Sequence, residues 1–415
     1  MHILFLTDNF PPEVNAPASR TYDHCLAWTQ AGHQVTVITC APNFPHGKVF
    51  PGYRNRLWQS EMMDGIRVIR VWSYIARNEG FAKRILDYVS YMIAALLAAL
   101  FVRRVDVIIG TSPQFFTACA AYAVSVVKRR PWIFELRDIW PESIRAVNAM
   151  KQERLLDALE KLELFLYRKA SAIVSVTHAF KHNLINRGID GDKIHVITNG
   201  VNTARFNPSP KDAVLEQRLG LTGKFVAGYI GTHGMAHGLE TLIESACLLK
   251  TSDWARDVRI IMLGDGAHRA RLAALAQERG ADNMLFLSSV PKEEVASYWS
   301  LLDVSIIHLA DQPLFETVIP SKIFECMGMG IPVLHGVRGE SARIVTSNNI
   351  GLTFAPGNAE DLVAQLARLH GDPALRRALA DQGPKAAVQY DRRGLALAML
   401  DLVSAVAGKS QRPAR

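Results

Sequence analysis

The run Val196-Ile197-Thr198-Asn199-Gly200-Val201-Asn202, followed closely by Phe206-Asn207-Pro208-Ser209-Pro210, divides the chain. Asn-Gly, Asn-Pro and Ser-Pro steps crowd together here, and such turn chemistry marks a domain boundary. Behind it, short apolar runs alternate with longer amphipathic stretches. His2–Leu6, Gln34–Thr39, Arg67–Val71, Val105–Gly110, Trp132–Glu135 and Ala172–Val176 read as strands. Arg20–Ala31, Leu155–Lys169 and Phe180–Asn186 read as helices, the last stopped by Gly188. Ahead of the boundary the alternation restarts. Lys224–Ile230, Val258–Leu263, Met284–Leu287, Val304–His308 and Val333–Leu334 read as strands. Leu239–Leu249, Arg269–Arg279, Lys292–Leu301, Lys322–Met329, Ala359–His370 and Pro373–Gln382 read as helices. Strand–helix alternation is the pattern of a parallel sheet flanked by helices, here written twice. The expected class is α/β, with two Rossmann-like domains. These are residues 1–200 and 201–390, with residues 391–415 a terminal helix and tail that packs back on the first domain.

Composition agrees. A chain of 415 residues suits two domains, and 49% hydrophobic against 21% charged residues gives each a core and excludes global disorder. Five scattered cysteines with no Cys-x-x-Cys pair argue against a disulfide framework or a structural zinc site and suit a reducing cytoplasm. Met1-His2-Ile3-Leu4-Phe5-Leu6 reads as an opening strand, not a signal peptide.

The net charge of +8 is uneven: residues 1–200 hold 24 Lys+Arg against 17 Asp+Glu, and the rest 23 against 22. No interleaved aromatic and basic module accompanies this excess, so nucleic acid is not the expected partner. Anionic lipid or a phosphorylated acceptor is. Val89–Val102 carries no charge and is flanked by Lys83, Arg84, Arg103 and Arg104. Its helical length of about 21 Å falls short of a bilayer core of about 30 Å. Two readings stay open: a helix buried against the sheet, or one lying in the membrane interface.

No glycine follows the first strand until Gly32, which excludes an ordinary dinucleotide fingerprint there. In the second half, Gly228-Tyr229-Ile230-Gly231-Thr232-His233-Gly234 places a glycine-rich turn between strand and helix. Backbone N–H groups and the helix dipole can hold a diphosphate at such a turn. Leu263-Gly264-Asp265-Gly266 repeats the device after the next strand, on the edge where open α/β sheets bind ligands. Pro320-Ser321-Lys322-Ile323-Phe324-Glu325 then opens a helix with a cation and an acid on one face. Lys322 suits a phosphate and Glu325 a ribose; a surface salt bridge is the plainer reading. His233 and His237 are candidate phosphate contacts, since neither they nor His178 and His182 have a third ligand that would make a zinc site.

Three stretches together resemble the family 4, GT-B retaining glycosyltransferases: Asn199-Gly200-Val201-Asn202 with Phe206, Leu263-Gly264-Asp265-Gly266, and Pro320-Ser321-Lys322 with Phe324-Glu325 and Gly330-Ile331-Pro332. Asp8-Asn9-Phe10-Pro11-Pro12-Glu13 and Arg137-Asp138-Ile139-Trp140-Pro141 are similar to its bacterial surface-polysaccharide branch, some members of which are assigned as N-acetyl-L-fucosamine transferases. The resemblance implies two Rossmann-like domains facing a central cleft. It implies a nucleotide-sugar donor, usually UDP-linked, in the second domain and an acceptor in the first, with no metal and no cofactor.

On that reading Gly231, Thr232, His233, Gly234, Gly264, Asp265, Gly266, Ser321 and Glu325 bind the donor, Glu325 matching the second glutamate of the family's Glu-x7-Glu motif. Lys322, His237 and Asp138 assist the chemistry, with Glu13 and Arg137 on the acceptor side. Fixed donors around the departing diphosphate are the largest catalytic effect to expect. The acceptor expected is a lipid-linked saccharide, and the enzyme is expected in the cytoplasm, peripheral on the inner face of the membrane. Two departures stand out. Thr317 occupies the first glutamate's place with Glu316 beside it, and Thr232-His233-Gly234 and His237-Gly238 replace the usual arginine and lysine. A nucleotide-sugar epimerase and a non-catalytic subunit of a polysaccharide-synthesis complex are the rival readings.

Overall fold

The computed structural model describes residues 1–44, 47–75, 81–140 and 153–411. The chain divides into two compact units, Met1–Thr198 with Arg392–Arg415, and Asn199–Asp391.

The first unit is built on eight strands: β1 His2–Leu6, β2 Gln34–Cys40, β3 Trp58–Met63, β4 Ile66–Val71, β5 Val107–Thr111, β6 Trp132–Leu136, β7 Ala172–Ser175 and β8 Ile194–Val196. Their order is β3-β4-β2-β1-β5-β6-β7-β8. All pairings are parallel except β3 with β4, a hairpin through Asp64 and Gly65. β1 and β6 are buried along their whole length, which is why they read as largely apolar runs; the exception in β6, Glu135, pairs with Arg20 at 2.9 Å. β3 (Trp-Gln-Ser-Glu-Met-Met) escapes sequence reading because it is an edge strand whose outer face (Trp58, Ser60, Met62) is exposed. Its inner face (Gln59, Glu61, Met63) is only half-buried, with Met63 alone packing on the core. The helix Phe115–Lys128 also escapes it, because its exposed positions, Val126 and Val127, are as apolar as the buried Ala118, Ala121 and Val124 and blur the helical period.

The terminal helix Arg392–Gln411 lies against the helix Ala16–Gln30. Trp28 Nε1 donates to the Ala396 carbonyl at 2.7 Å, and Arg392 Nη1 meets Asp23 Oδ2 at 2.7 Å.

The second unit holds six strands: β9 Phe225–Ile230, β10 Val258–Leu263, β11 Met284–Leu287, β12 Val304–His308, β13 Val333–Gly336 and β14 Gly351–Thr353. Their order is β11-β10-β9-β12-β13-β14, all parallel. The order reverses at β9, between β10 and β12. That is where a doubly wound sheet opens a crevice at its carboxyl edge. Both units are thus Rossmann-like, and in tandem they make a GT-B fold.

Candidate active site

β9 and β10 run in register from Phe225–Val258 to Ile230–Leu263, and the pairing continues beyond both strands into the glycine turns. Gly231 N–H donates to the Leu263 carbonyl (2.9 Å), His233 N–H to that of Asp265 (2.9 Å), and His268 N–H to that of His233 (3.0 Å). Gly264 N–H donates to the Leu287 carbonyl (3.1 Å) and Gly266 N–H to Asp265 Oδ1 (2.7 Å). Four glycine-loop amides are therefore used inside the fold, which corrects the expectation that the Gly231–Gly234 amides as a set hold a diphosphate. Those of Thr232 and Gly234 have no backbone partner among the described residues. The Gly264-Asp265-Gly266 loop buttresses the first loop. Gly264 sits at φ +146°, and a Cβ there would collide with the Gly231 carbonyl.

Lys322 occupies the first turn of the helix Lys322–Met329 and reaches toward this pair of loops. Its Nζ stands 3.6 Å from the Tyr229 ring centroid, and a Cβ on Gly231 would lie 2.7 Å from it. The residue keeps some exposure, but Nζ itself is buried with no hydrogen-bond partner. Burial pushes its pKa down to about 7, against a smaller upward pull from Cys326 and Glu325. A buried, unpartnered amine is costly unless an anion completes it.

The two histidines differ in exposure. His233 is fully buried, and among the described residues neither ring nitrogen has a hydrogen-bond partner. Burial, then Arg269 and Lys322, bring its pKa to about 4. His237 is half-buried, and burial followed by Lys322 brings it to about 3. These shifts hold both imidazoles neutral near pH 7, and His237 can offer a hydrogen bond. Glu325 is half-buried, and its Oε2 accepts from Trp299 Nε1 at 3.2 Å, which orients it. Ser321 stands at the helix N-cap without making a side-chain capping bond. Thr317 spends its hydroxyl on the Leu314 carbonyl at 2.7 Å, while Glu316 is exposed.

Sequence reasoning missed Arg269 and Tyr229. Arg269 is the first residue of the helix that follows the second glycine loop; its Nε is buried and unpartnered, and its charge acts on His233. A cation opening a helix after a glycine loop was the available signal. Tyr229 carries Lys322 on its ring and donates to the Thr232 carbonyl at 2.8 Å. Nothing in an apolar strand singles it out.

The remaining candidates lie in the first unit. Glu13 lines a cavity of about 310 Å³ past the ends of β1 and β2, together with Asp8, Asp87 and Tyr88. Its Oε1 accepts from the amides of Asn43 and Phe44 at 2.8 and 2.9 Å. Burial, with Asp8 adding to it, raises both Glu13 and Asp87 to about 7. Arg137 is not among the residues lining that cavity. Its Nε and Nη1 are buried without hydrogen-bond partners among the described residues, and burial lowers it to about 10 despite Glu135. The amides of Arg137 and Asp138 both donate to Ser112 Oγ, at 2.8 and 3.2 Å. Pro141, the end of that motif, lies outside the described residues. Among those residues no group of three or more His, Cys, Asp or Glu is placed to hold a metal ion.

The profile described as Glycosyltransferase Family 4 matches residues 18–205, and Glycosyl transferases group 1 matches residues 213–386. The two follow in order, one on each unit. The chain belongs to the family 4 glycosyltransferases. It is 25% identical over 347 residues to WcaI of Escherichia coli K12, assigned as a colanic acid biosynthesis glycosyl transferase; the match covers 80% of this chain and 82% of that one. It is 27% identical over 205 residues to a GDP-mannose-dependent alpha-mannosyltransferase of Mycobacterium tuberculosis, spanning 48% and 49% of the two chains. Among solved structures it is similar to sucrose-phosphate synthase from Thermosynechococcus elongatus, with TM-score 0.78, 17% identity and 98% and 99% of the chains covered. Anabaena HepE in complex with UDP-glucose superposes with TM-score 0.72 at 18% identity, over 98% and 100% of the chains.

Proposed function

We propose that this family 4 glycosyltransferase transfers a sugar from a nucleoside diphosphate donor, UDP-linked, to a lipid-linked saccharide in polysaccharide synthesis, with retention at the anomeric carbon. The observation that carries the donor half is the Lys322 amine. It is buried, lacks a partner, and is held on Tyr229 beside Gly231 at the switch point of the second sheet. A diphosphate at this spot would supply the missing anion, with the Thr232 and Gly234 amides and His237 adding hydrogen bonds. Glu325, oriented by Trp299, suits the ribose hydroxyls. The UDP choice draws on the fold's likeness to HepE solved with UDP and UDP-glucose. The polysaccharide role draws on relatives described for colanic acid, teichuronic acid and amylovoran synthesis. Retention follows from the family resemblance.

For the acceptor half, the support is the outward face of the helix Phe81–Leu100. Leu86, Ile93, Leu97 and Leu100 are exposed there, with exposed Lys83 and Arg84 on one flank and Arg103 and Arg104 on the other. No helix among the described residues is long and apolar enough to cross a membrane.

A thermal-shift screen with UDP, GDP, ADP and their common sugar conjugates tests the donor reading. A ligand at 100 times its dissociation constant stabilises the fold by about 2.7 kcal/mol, which such a screen resolves. UDP or a UDP-sugar is expected to give the largest shift. If no nucleoside diphosphate moves the melting temperature, the donor site is misassigned.

A further inference from the structure

His308, the last residue of β12, plays no part in the site described so far, yet its ring joins two turns next to it. It is 1% exposed. Its Nδ1 lies 2.7 Å from the carbonyl oxygen of His237, and Gly357 N–H donates to its Nε2 at 2.9 Å. A carbonyl only accepts and an amide only donates, so the two neighbours dictate one protonation state. Nδ1 carries the hydrogen and Nε2 is bare. An imidazolium would aim a second N–H at the Gly357 N–H. Burial, chiefly, and the Lys322 charge oppose that imidazolium, while Glu240, Asp311 and the His237 carbonyl favour it, and the balance lowers the pKa.

The surroundings leave little slack. The ring stacks on Phe354 with centroids 5.8 Å apart and planes 7° from parallel. Gly238, at φ +55°, packs so closely that a Cβ would stand 3.1 Å from His308 Cε1 and 3.2 Å from Ala310 Cα. Ala310 N–H donates to the Ala236 carbonyl at 2.9 Å, a second tie on the same turn.

We propose that His308 is a positioning residue of the donor site, a neutral Nδ1–H imidazole that fixes the Met235–His237 turn, and with it the His237 side chain, against the Gly357 turn. The proposal rests on the donor reading above. A ring one bond from the His237 backbone sets how far that side chain stands from Lys322, and small displacements in such sites are costly.

Two substitutions separate positioning from plain packing. In His308→Asn the side-chain amide can take the place of Nδ1–H and keep the His237 bond while losing Gly357. In His308→Gln the amide oxygen can take the place of Nε2 and keep Gly357 while losing His237. Each loses one neutral hydrogen bond, so a merely structural role predicts no difference in UDP affinity between the two folded variants, whatever their melting temperatures. On the proposal, Asn stays within a few-fold of wild-type UDP affinity, whereas Gln weakens it roughly tenfold, the scale of one such bond. Calorimetric titration of the folded variants reads this directly. Equal affinities, or Asn the weaker, overturn the His308 role and leave the donor site standing. A wild-type chain that binds no nucleoside diphosphate removes both. Nitrogen-15 NMR of the wild-type imidazoles adds a readout free of mutation: His308 is expected as the Nδ1–H tautomer throughout pH 6–8, and an Nε2–H signal would contradict the proposal.

Discussion

Among the described residues the fold gives the Lys322 amine the Tyr229 ring but no hydrogen-bond partner, and this makes its titration informative. Unfolded, a lysine holds its proton up to about 10.4; folded, Lys322 releases it near 7. Between these values the unfolded chain binds a proton that the folded chain lacks, so stability should rise with pH from 7 toward 10. Below 7 both states are protonated and the desolvation penalty is present in full. Lys322→Met should therefore raise the melting temperature at pH 6.5 and reduce its climb with pH, while removing the UDP-induced shift. A less stable Met variant would show that the amine has a partner in solution.

Nucleotide binding follows the opposite course. The diphosphate selects protonated Lys322, so UDP affinity should fall as pH goes from 7 to 9, by at most about tenfold per unit, with proton uptake visible when titrations are repeated in buffers of different ionisation enthalpy. Glu325→Ala tests the neighbouring residue: losing hydrogen bonds to a charged acceptor should cost about 1.5–3 kcal/mol of UDP binding. Unchanged affinity in a folded variant removes the ribose role.

At the scale of elements, the two glycine turns work as one piece. Gly264 can be nothing larger because the atom its side chain would strike is the Gly231 carbonyl oxygen, which belongs to the backbone and cannot swing aside. Gly264→Ala, also strained by its φ of +146°, should lose about 3 kcal/mol or more, measured by denaturant unfolding. A near-neutral result would mean the loops separate easily and do not brace each other.

The same turns show how far a sequence can be read. Gly231, Gly264 and Gly266 were legible because glycine after an apolar strand has few structural explanations, and Lys322 with Glu325 because a helix start confines them to one face. Which amides face outward was not legible. That depends on β9 and β10 being neighbours in register, a pairing between segments separated by a whole helix. The buried state of His233 and the place of Arg269 were hidden for the same reason. β3 lacked the apolar alternation of a half-buried strand because its inward face carries Gln59 and Glu61, with only Met63 packing on the core.

On the scale of the whole molecule, the chain's excess charge and an exposed apolar helix face fall on the same unit. The helix Phe81–Leu100 is amphipathic in size instead of polarity. Ala95, Ala98 and Ala99 face inward, letting it approach the helix Phe115–Lys128 closely. Tyr91 faces inward to donate to the Thr7 and Ile38 carbonyls at 2.7 and 2.8 Å, and Leu86, Ile93, Leu97 and Leu100 point out. Its buried face satisfies one reading of the uncharged Val89–Val102 stretch and its outer face keeps the other open. Phe101 extends the outer face at 76% exposure, edge-on to Trp58 with ring centroids 6.3 Å apart. Lys128 Nζ binds the carbonyls of Leu100 and Val102, at 3.2 and 2.8 Å, so a cation sits at the patch's end. Exposed leucines on one helical face, rimmed by Lys83, Arg84, Arg103 and Arg104, have the composition of an interfacial membrane surface. Each basic residue near an anionic leaflet contributes roughly 1 kcal/mol, and exposed charges are screened over about 10 Å at 0.1 M salt. The expected outcome is reversible binding to vesicles rich in phosphatidylglycerol at low salt, weaker at 0.5 M salt and weakest on phosphatidylcholine alone, read by flotation. Ile93→Ser with Leu97→Ser should remove most of it while leaving UDP-induced stabilisation intact, because both side chains point away from their own unit's core. Equal absence from anionic and neutral vesicles at low salt would detach the acceptor from the membrane and favour a soluble one.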